Sequence, residues 1–308
     1  MRKYIFIINP AAGKGIIQKQ LIQSIKETLN PEQYEIYETT SAGDEQVFVN
    51  DRLNPEEDLW FFACGGDGTI ANLVNALAGK APLGIIPCGS GNDFAKVFVG
   101  ADLFDLIAQT EGTPVAVDVL SCNGLLAANV VNLGFDADVA YQMVHFKRLP
   151  GVSGSMSYIM SLLYCFSHKV AYPMEIWLDD DTESISGEFL FSLFANGQIY
   201  GGSFHGAPKA EINDGVFDVC LCRKAPRPKI LRLVPAFQKG EHLTKKDFEE
   251  HIIYRQCKRA KIVVPEPTVL GLDGNCEQIT GEVEILLLPE KLQLIVPKGA
   301  HLKMNNEE

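Results

Sequence analysis

Three short apolar runs, each halted by a glycine-rich turn, constrain this chain more than any other feature. Lys3–Ile8, Leu59–Cys64 and Leu83–Ile86 are apolar at nearly every position. That is the pattern of strands buried on both faces, not of strands with one wet face. They run into Asn9-Pro10-Ala11-Ala12-Gly13-Lys14-Gly15, Gly65-Gly66-Asp67-Gly68-Thr69 and Gly89-Ser90-Gly91-Asn92-Asp93. Helical spacing follows at 15–29, 69–78 and 92–99, and Tyr34–Thr39 alternates like a further strand. Strands alternating with helices at this spacing predict a parallel sheet covered by helices. Ligands of such sheets bind beyond the carboxyl ends of the strands.

The rhythm changes after about residue 113. Strand-like segments at 115–120, 125–133, 173–178, 188–195, 216–222, 251–257, 261–264, 283–287 and 292–296 are punctuated by Asn123-Gly124, Asn213-Asp214-Gly215 and Asp273-Gly274. Only 136–147, 155–168 and 227–238 read as helices there. This half is predicted to be a mainly antiparallel β-sandwich. The helix at 155–168 is apolar almost all round, the mark of a core helix.

The 308 residues suffice for two such domains. A net charge of −12 argues against nucleic acid as a partner. The charge is uneven. Residues 223–261 hold twelve Lys and Arg against four acids, about +8, which reads either as a solvated face or as peripheral contact with an anionic membrane. The eight cysteines form no CxxC pair and lie mostly in apolar runs, as reduced thiols do in a cytoplasmic protein. The first apolar run is too short for a signal peptide core, and none approaches the roughly 20 residues of a membrane span. The chain is expected to be cytoplasmic and to meet a membrane, if it does, from the water side. No histidine pair has zinc-site spacing.

Glycine turns at strand ends let backbone N–H groups close on an anion, and a helix N-terminus adds partial positive charge. Three of them at one sheet edge would form a single phosphate-binding edge. Asp67, between glycines, makes sense if a cation accompanies the phosphate. Neither the dinucleotide nor the Walker signature is present.

Asn9-Pro10 with Gly13, Gly65-Gly66-Asp67-Gly68-Thr69 and Gly89-Ser90-Gly91-Asn92-Asp93 resemble the catalytic motifs of the diacylglycerol and sphingosine lipid kinase family, its bacterial soluble members above all. The likeness continues through Asn132-Leu133-Gly134-Phe135-Asp136, Ala207-Pro208-Lys209-Ala210, Asn213-Asp214-Gly215 and Leu272-Asp273-Gly274, covering essentially the whole chain in order. It implies a nucleotide-binding α/β domain similar to those of phosphofructokinase and NAD kinases, at 1–122 and 291–308, and a β-sandwich lipid-substrate domain at 123–290. ATP would lie between them, and a hydroxyl of a membrane lipid, diacylglycerol first, would accept its γ-phosphoryl group. Asn9, Gly13, Thr39 (or Thr40), Gly65, Gly66, Asp67, Gly68, Thr69, Ser90, Asn92 and Asp93 would line the nucleotide. Asp273 would be the general base, with Asn275 and Asp67 beside it. Mg²⁺ would sit at Asp214 with the carbonyls of Glu211 and Val216, joined through water by Asp118 and Asp67, and a second Mg²⁺ would travel with ATP. Residues 155–168 would help admit an acyl chain. Whether the chain forms a homodimer is left open.

Bland readings stand beside these. Asp273-Gly274 also fits a type I′ hairpin turn, and Asn213-Asp214-Gly215 a plain hairpin. Two positions depart from the family pattern: Asn275, where relatives carry Glu, and Ala71-Asn72, where they read Asn-Glu. These keep a non-catalytic nucleotide- or lipid-binding regulator in view, alongside a kinase of similar build acting on a soluble substrate such as NAD.

Overall fold

The computed structural model describes residues 2–13, 15–41, 43–152 and 154–304, the side chains of 154 and 155 excepted. The first part runs β1 (Lys3–Ile8), α1 (Ile16–Thr28), β2 (Tyr34–Glu38), α2 (Asp44–Arg52), β3 (Leu59–Gly65), α3 (Asp67–Leu77), β4 (Leu83–Pro87), β5 (Phe98–Val99), α4 (Leu106–Thr110) and β6 (Thr113–Cys122). Strand β1 pairs in parallel with β2 and β3, and β3 with β4. Alternate side chains of β1 serve opposite faces. Phe6 and Ile8 pack with Leu21 and Ile25 of α1. Ile5 and Ile7 pack with Val49 of α2 and Leu73 and Val74 of α3. Burial on both faces explains why these strands are apolar throughout.

The second part adds β7 (Leu125–Ala127), β8 (Val130–Gly134), α5 (Phe135–Lys147), α6 (Gly154–His168), β9 (Tyr172–Leu178), β10 (Ile185–Ala195), β11 (Phe217–Arg223), α7 (Arg227–Gln238), β12 (Ile252–Cys257), β13 (Arg259–Leu272), β14 (Asn275–Val296) and β15 (His301–Leu302). Its pairings are antiparallel, with β10 and β13 each bonded to both β8 and β9. One large core fills it, with Tyr172, Phe189, Phe194 and Phe217 essentially inaccessible.

Strand β14 joins the two parts. Its first half pairs with β13, and its last residues lie along β6 and meet β4 in parallel at Leu294 and Leu83. The register slips between Leu288 and Leu292. There Asp118 of β6, 2% exposed, accepts the N–H of Glu290 at 2.8 Å and of Gly215 at 2.9 Å. It pins the slip and the 212–216 turn to one point.

Several sequence expectations need correction. The helix expected at 92–99 is a single 3₁₀ turn, Phe94–Val97, leading into β5; Asn92 at φ 53° spends its side chain on the preceding turn and cannot open an α-helix. The strand expected over 125–133 is broken after Ala127. The segments at 261–264, 283–287 and 292–296 belong to two long strands, β13 and β14. Helices α2 and α4 were not anticipated. Among the described residues all eight cysteines are free, seven of them buried. No described helix is long and apolar enough to cross a membrane.

Phe62, fully buried, stacks on Phe6 with ring centroids 4.9 Å apart. Phe62→Ala is expected to lower the unfolding free energy by about 3–5 kcal/mol, read from urea denaturation.

Candidate active site

The register places the three glycine turns at one sheet edge, since Ile8 lies beside Cys64 and Gly65 beside Pro87. They touch through backbone. A Cβ on Gly89 would lie 2.4 Å from Gly66 Cα, and one on Gly13 would lie 2.6 Å from the Cys88 carbonyl oxygen. No other residue fits at Gly89 without moving the turns apart. Asn9 Nδ2 donates to Thr69 Oγ1 at 3.2 Å, tying the first turn to the second. Thr69, buried, opens α3 with its N–H on the Gly66 carbonyl. Gly65 must lack a side chain because a Cβ would strike Thr69 Oγ1, whereas Gly68 faces open space.

The third turn builds itself. Asn92 accepts the Gly89 N–H through Oδ1 at 3.0 Å and donates through Nδ2 to the Gly89 carbonyl at 3.0 Å. Ser90 stands exposed at the tip. Asp67 Oδ1 accepts the Asp93 N–H at 2.6 Å, while burial, with the Asp93 charge in support, raises the Asp67 carboxyl above its ordinary value. Asp93 turns to the second part of the chain. It accepts the Gly202 N–H at 2.9 Å and pairs with Lys96 at 2.7 Å, and Lys96 also donates to the Gly202 carbonyl. Thr39 is buried at the end of β2, its N–H on the Ile8 carbonyl; Thr40 is exposed and bonded to Asp44.

Asp273 sits in the β13–β14 hairpin, near enough to the second turn for the charge of Asp67 to act on it. Its φ of 46° and that of Gly274, 87°, make the tight turn that Asp-Gly favours. Its carboxylate is also clamped, accepting N–H groups of Ala128 (2.7 Å), Asn129 (3.1 Å) and Val130 (2.7 Å). The break between β7 and β8 turns those donors toward Asp273. Burial pushes its pKa up to about 6 against the pull of the three donors, and the charge of Asp67 acts in the same upward direction.

Beside it, Asn132 packs against Gly271, where a Cβ would lie 2.4 Å from its Oδ1. Asp136, in the first turn of α5, accepts the Tyr200 hydroxyl at 2.9 Å, and burial pushes its pKa up to about 6. Asn275 opens onto a cavity of about 340 Å³, together with Gln46 of α2, Ala71, Asn72 and Asn75 of α3, and Leu125 and Leu126 of β7.

The Asp214 turn is separate. Burial, then the charges of Glu211 and Asp118, raise the Asp214 carboxyl, a crowding of acids that a hard cation would relieve. The side chain of Asp214 accepts the Val216 N–H, and both Asp118 oxygens serve backbone donors. Among the described residues no group of three His, Cys, Asp or Glu has metal-binding geometry. Asp118 thus anchors the 212–216 turn and the β14 slip.

The model of the diacylglycerol kinase catalytic domain matches residues 3–122, and that of the YegS C-terminal NAD kinase beta sandwich-like domain matches 129–296. The diacylglycerol kinase of Bacillus subtilis is 30% identical over 284 residues, 89% of this chain and 90% of the relative. The chain belongs to the diacylglycerol kinase family. A diacylglycerol kinase of Mycobacterium tuberculosis is 32% identical over 250 residues, 76% of this chain and 75% of that one. The fold resembles the crystal structure of a diacylglycerol kinase from Bacillus anthracis, with TM-score 0.67 and 21% identity over 96% of this chain and 97% of that one.

Ala71-Asn72 and Asn275, set apart in the sequence by the resemblance, line the same cavity. Sequence reasoning missed the backbone clamp at 128–130 and the Lys96–Asp93–Gly202 tie. The first had a faint signal in Ala128-Asn129, where a polar residue interrupts an apolar run. The second had none, since it joins residues about a hundred positions apart.

Gly89→Ala is expected to cost about 1–3 kcal/mol of stability by forcing the turns apart, seen as a lowered melting temperature.

Proposed function

We propose that this kinase-family chain transfers the γ-phosphoryl group of ATP to a hydroxyl of a membrane lipid, diacylglycerol being the acceptor that the names of its relatives favour. The observation that carries the reading is Asp273, held by three backbone donors, within reach of the charge of Asp67 in the second glycine turn, its pKa pushed up to about 6. Phosphoryl transfer needs placement and charge stabilisation more than covalent help from the protein. The turns' N–H groups and the α3 N-terminus would hold the phosphates. Asp273 would take the hydroxyl proton as the lipid oxygen bonds to phosphorus and ADP leaves. With a pKa near 6, Asp273 is ionised at neutral pH, yet basic enough to share that proton.

Mg²⁺ would offset phosphate charge. On the chain itself, Asp214 with the Glu211 and Val216 carbonyls is the candidate holder, supported by the mutual repulsion of its acids. In this reading residues 1–122 with 291–308 would form the nucleotide-binding domain and 123–290 the lipid-substrate domain, with ATP between them.

Asp273→Asn should abolish transfer of labelled phosphate to lipid while ATP binding, measured by calorimetry, stays within a few-fold of wild type. Full activity in that variant, or transfer to NAD and not to lipid, would overturn the reading. Because the base must be deprotonated, the rate should rise as pH climbs through about 6 and level off above it; a profile flat from pH 5 to pH 8, a range of about 3 units around that value, would contradict the role. Mg²⁺ should raise the melting temperature of the wild type and do so less in Asp214→Asn, a readout independent of activity.

A further inference from the structure

Helix α6 is apolar on both sides: Tyr158, Leu162 and Phe166 pack against the core, yet large apolar side chains also face outward. Its inward row, Ser157, Ser161 and Cys165, is small and partly polar, and all three are buried. Ser161 Oγ donates to the Val139 carbonyl of α5. Its outward stripe is apolar: Met156, Ile159, Leu163 and Tyr164 are exposed, Ile159 at 55% and Leu163 at 63%. A surface helix ordinarily turns its apolar stripe to the core; the core-helix expectation for 155–168 holds on the side of Tyr158, Leu162, Cys165 and Phe166 and fails on this one. Val144 of α5 and Leu149 of the following turn are also exposed.

The α5–α6 hairpin's own sequence carries charge of one sign beyond the first turn of α5. From Val139 to Met174 the sequence contains no Asp or Glu, in a chain of net charge −12. Lys147 and Arg148 stand exposed at the end of α5, and Lys169 follows α6, paired with Glu266 from β13. The basic segment 223–261 is a poorer match for an anionic surface. Its Lys224, Lys229, Lys245, Arg255, Arg259 and Lys261 each pair with a carboxylate.

We propose that the α5–α6 hairpin docks this protein on an anionic lipid bilayer, with the α6 stripe in the acyl boundary and Lys147 and Arg148 on the headgroups. Apolar insertion and cationic contact together are what interfacial helices use. The geometry also leads to the active site. Helix α5, about 20 Å long from its 13 residues, starts at Asp136, whose charge acts on Cys276 just beyond Asp273. Docking there would bring lipid to the helix pair whose first turn neighbours the residues around the proposed base. The inference deepens the lipid-kinase reading and rests on it for the acceptor, but not for docking itself.

The test is co-sedimentation of the full chain with vesicles of phosphatidylcholine, with and without phosphatidylglycerol. Wild type should bind and prefer the anionic vesicles. The double variant Ile159→Glu with Leu163→Glu should bind roughly 30-fold or more weakly while keeping the wild-type melting temperature. Lys147→Glu with Arg148→Glu should lose the preference for phosphatidylglycerol. Wild-type protein that ignores vesicles, or a double variant that binds them normally, would overturn the proposal. So would a wild-type dimer that the double variant dissociates, because a second copy would then cover the stripe. Vesicle binding without transfer to any lipid would refute the lipid-kinase reading and support docking alone.

Discussion

The structure turns on a contact between two backbones. Gly66 and Gly89 approach so closely that no side chain fits between them, and this packs the ends of β3 and β4 into one surface. Everything proposed for the site depends on it, because amides from separate turns can act on one anion only if the turns are held together. Asn9 to Thr69 and Gly13 against Cys88 bring the first turn into the same arrangement. The parallel register makes the approach possible by ending these strands at one level.

The second constraint is the Asp273 clamp. A carboxylate in a buried setting would ordinarily protonate or seek a cation; here three backbone N–H groups keep it oriented while burial lifts its pKa to about 6. Orientation and basicity come from opposing effects of one environment. The backbone of this residue turns the β13–β14 hairpin while its side chain holds the β7–β8 break, so the hairpin reading and the general-base reading of Asp273-Gly274 are compatible.

Much of this was legible in the sequence. The apolar runs and glycine turns marked β1, β3 and β4 within a residue or two, because burial on both faces leaves an unmistakable pattern. The Asp-Gly turn was legible as a turn, and family motifs pointed to Asp273. What escaped was non-local. The clamp joins Asp273 to amides more than 140 positions earlier, and Lys96 reaches Gly202 across the two parts of the chain. The merging of three strand segments into β13 and β14 depended on pairing partners that no local pattern names. Asn92 misled because a residue that reads as a helix cap closes the preceding turn with its own amide. Helix α6 misled because a uniformly apolar sequence does not say which side meets the core; its buried serines decide that.

The most direct measurement is the structure of the protein with a non-hydrolysable ATP analogue. The account predicts a triphosphate resting against the turns at Asn9–Gly13, Gly65–Thr69 and Gly89–Asp93, with its terminal phosphate on the side facing the Asp273 carboxylate. A triphosphate bound away from those turns, or a terminal phosphate pointing away from Asp273, would contradict it.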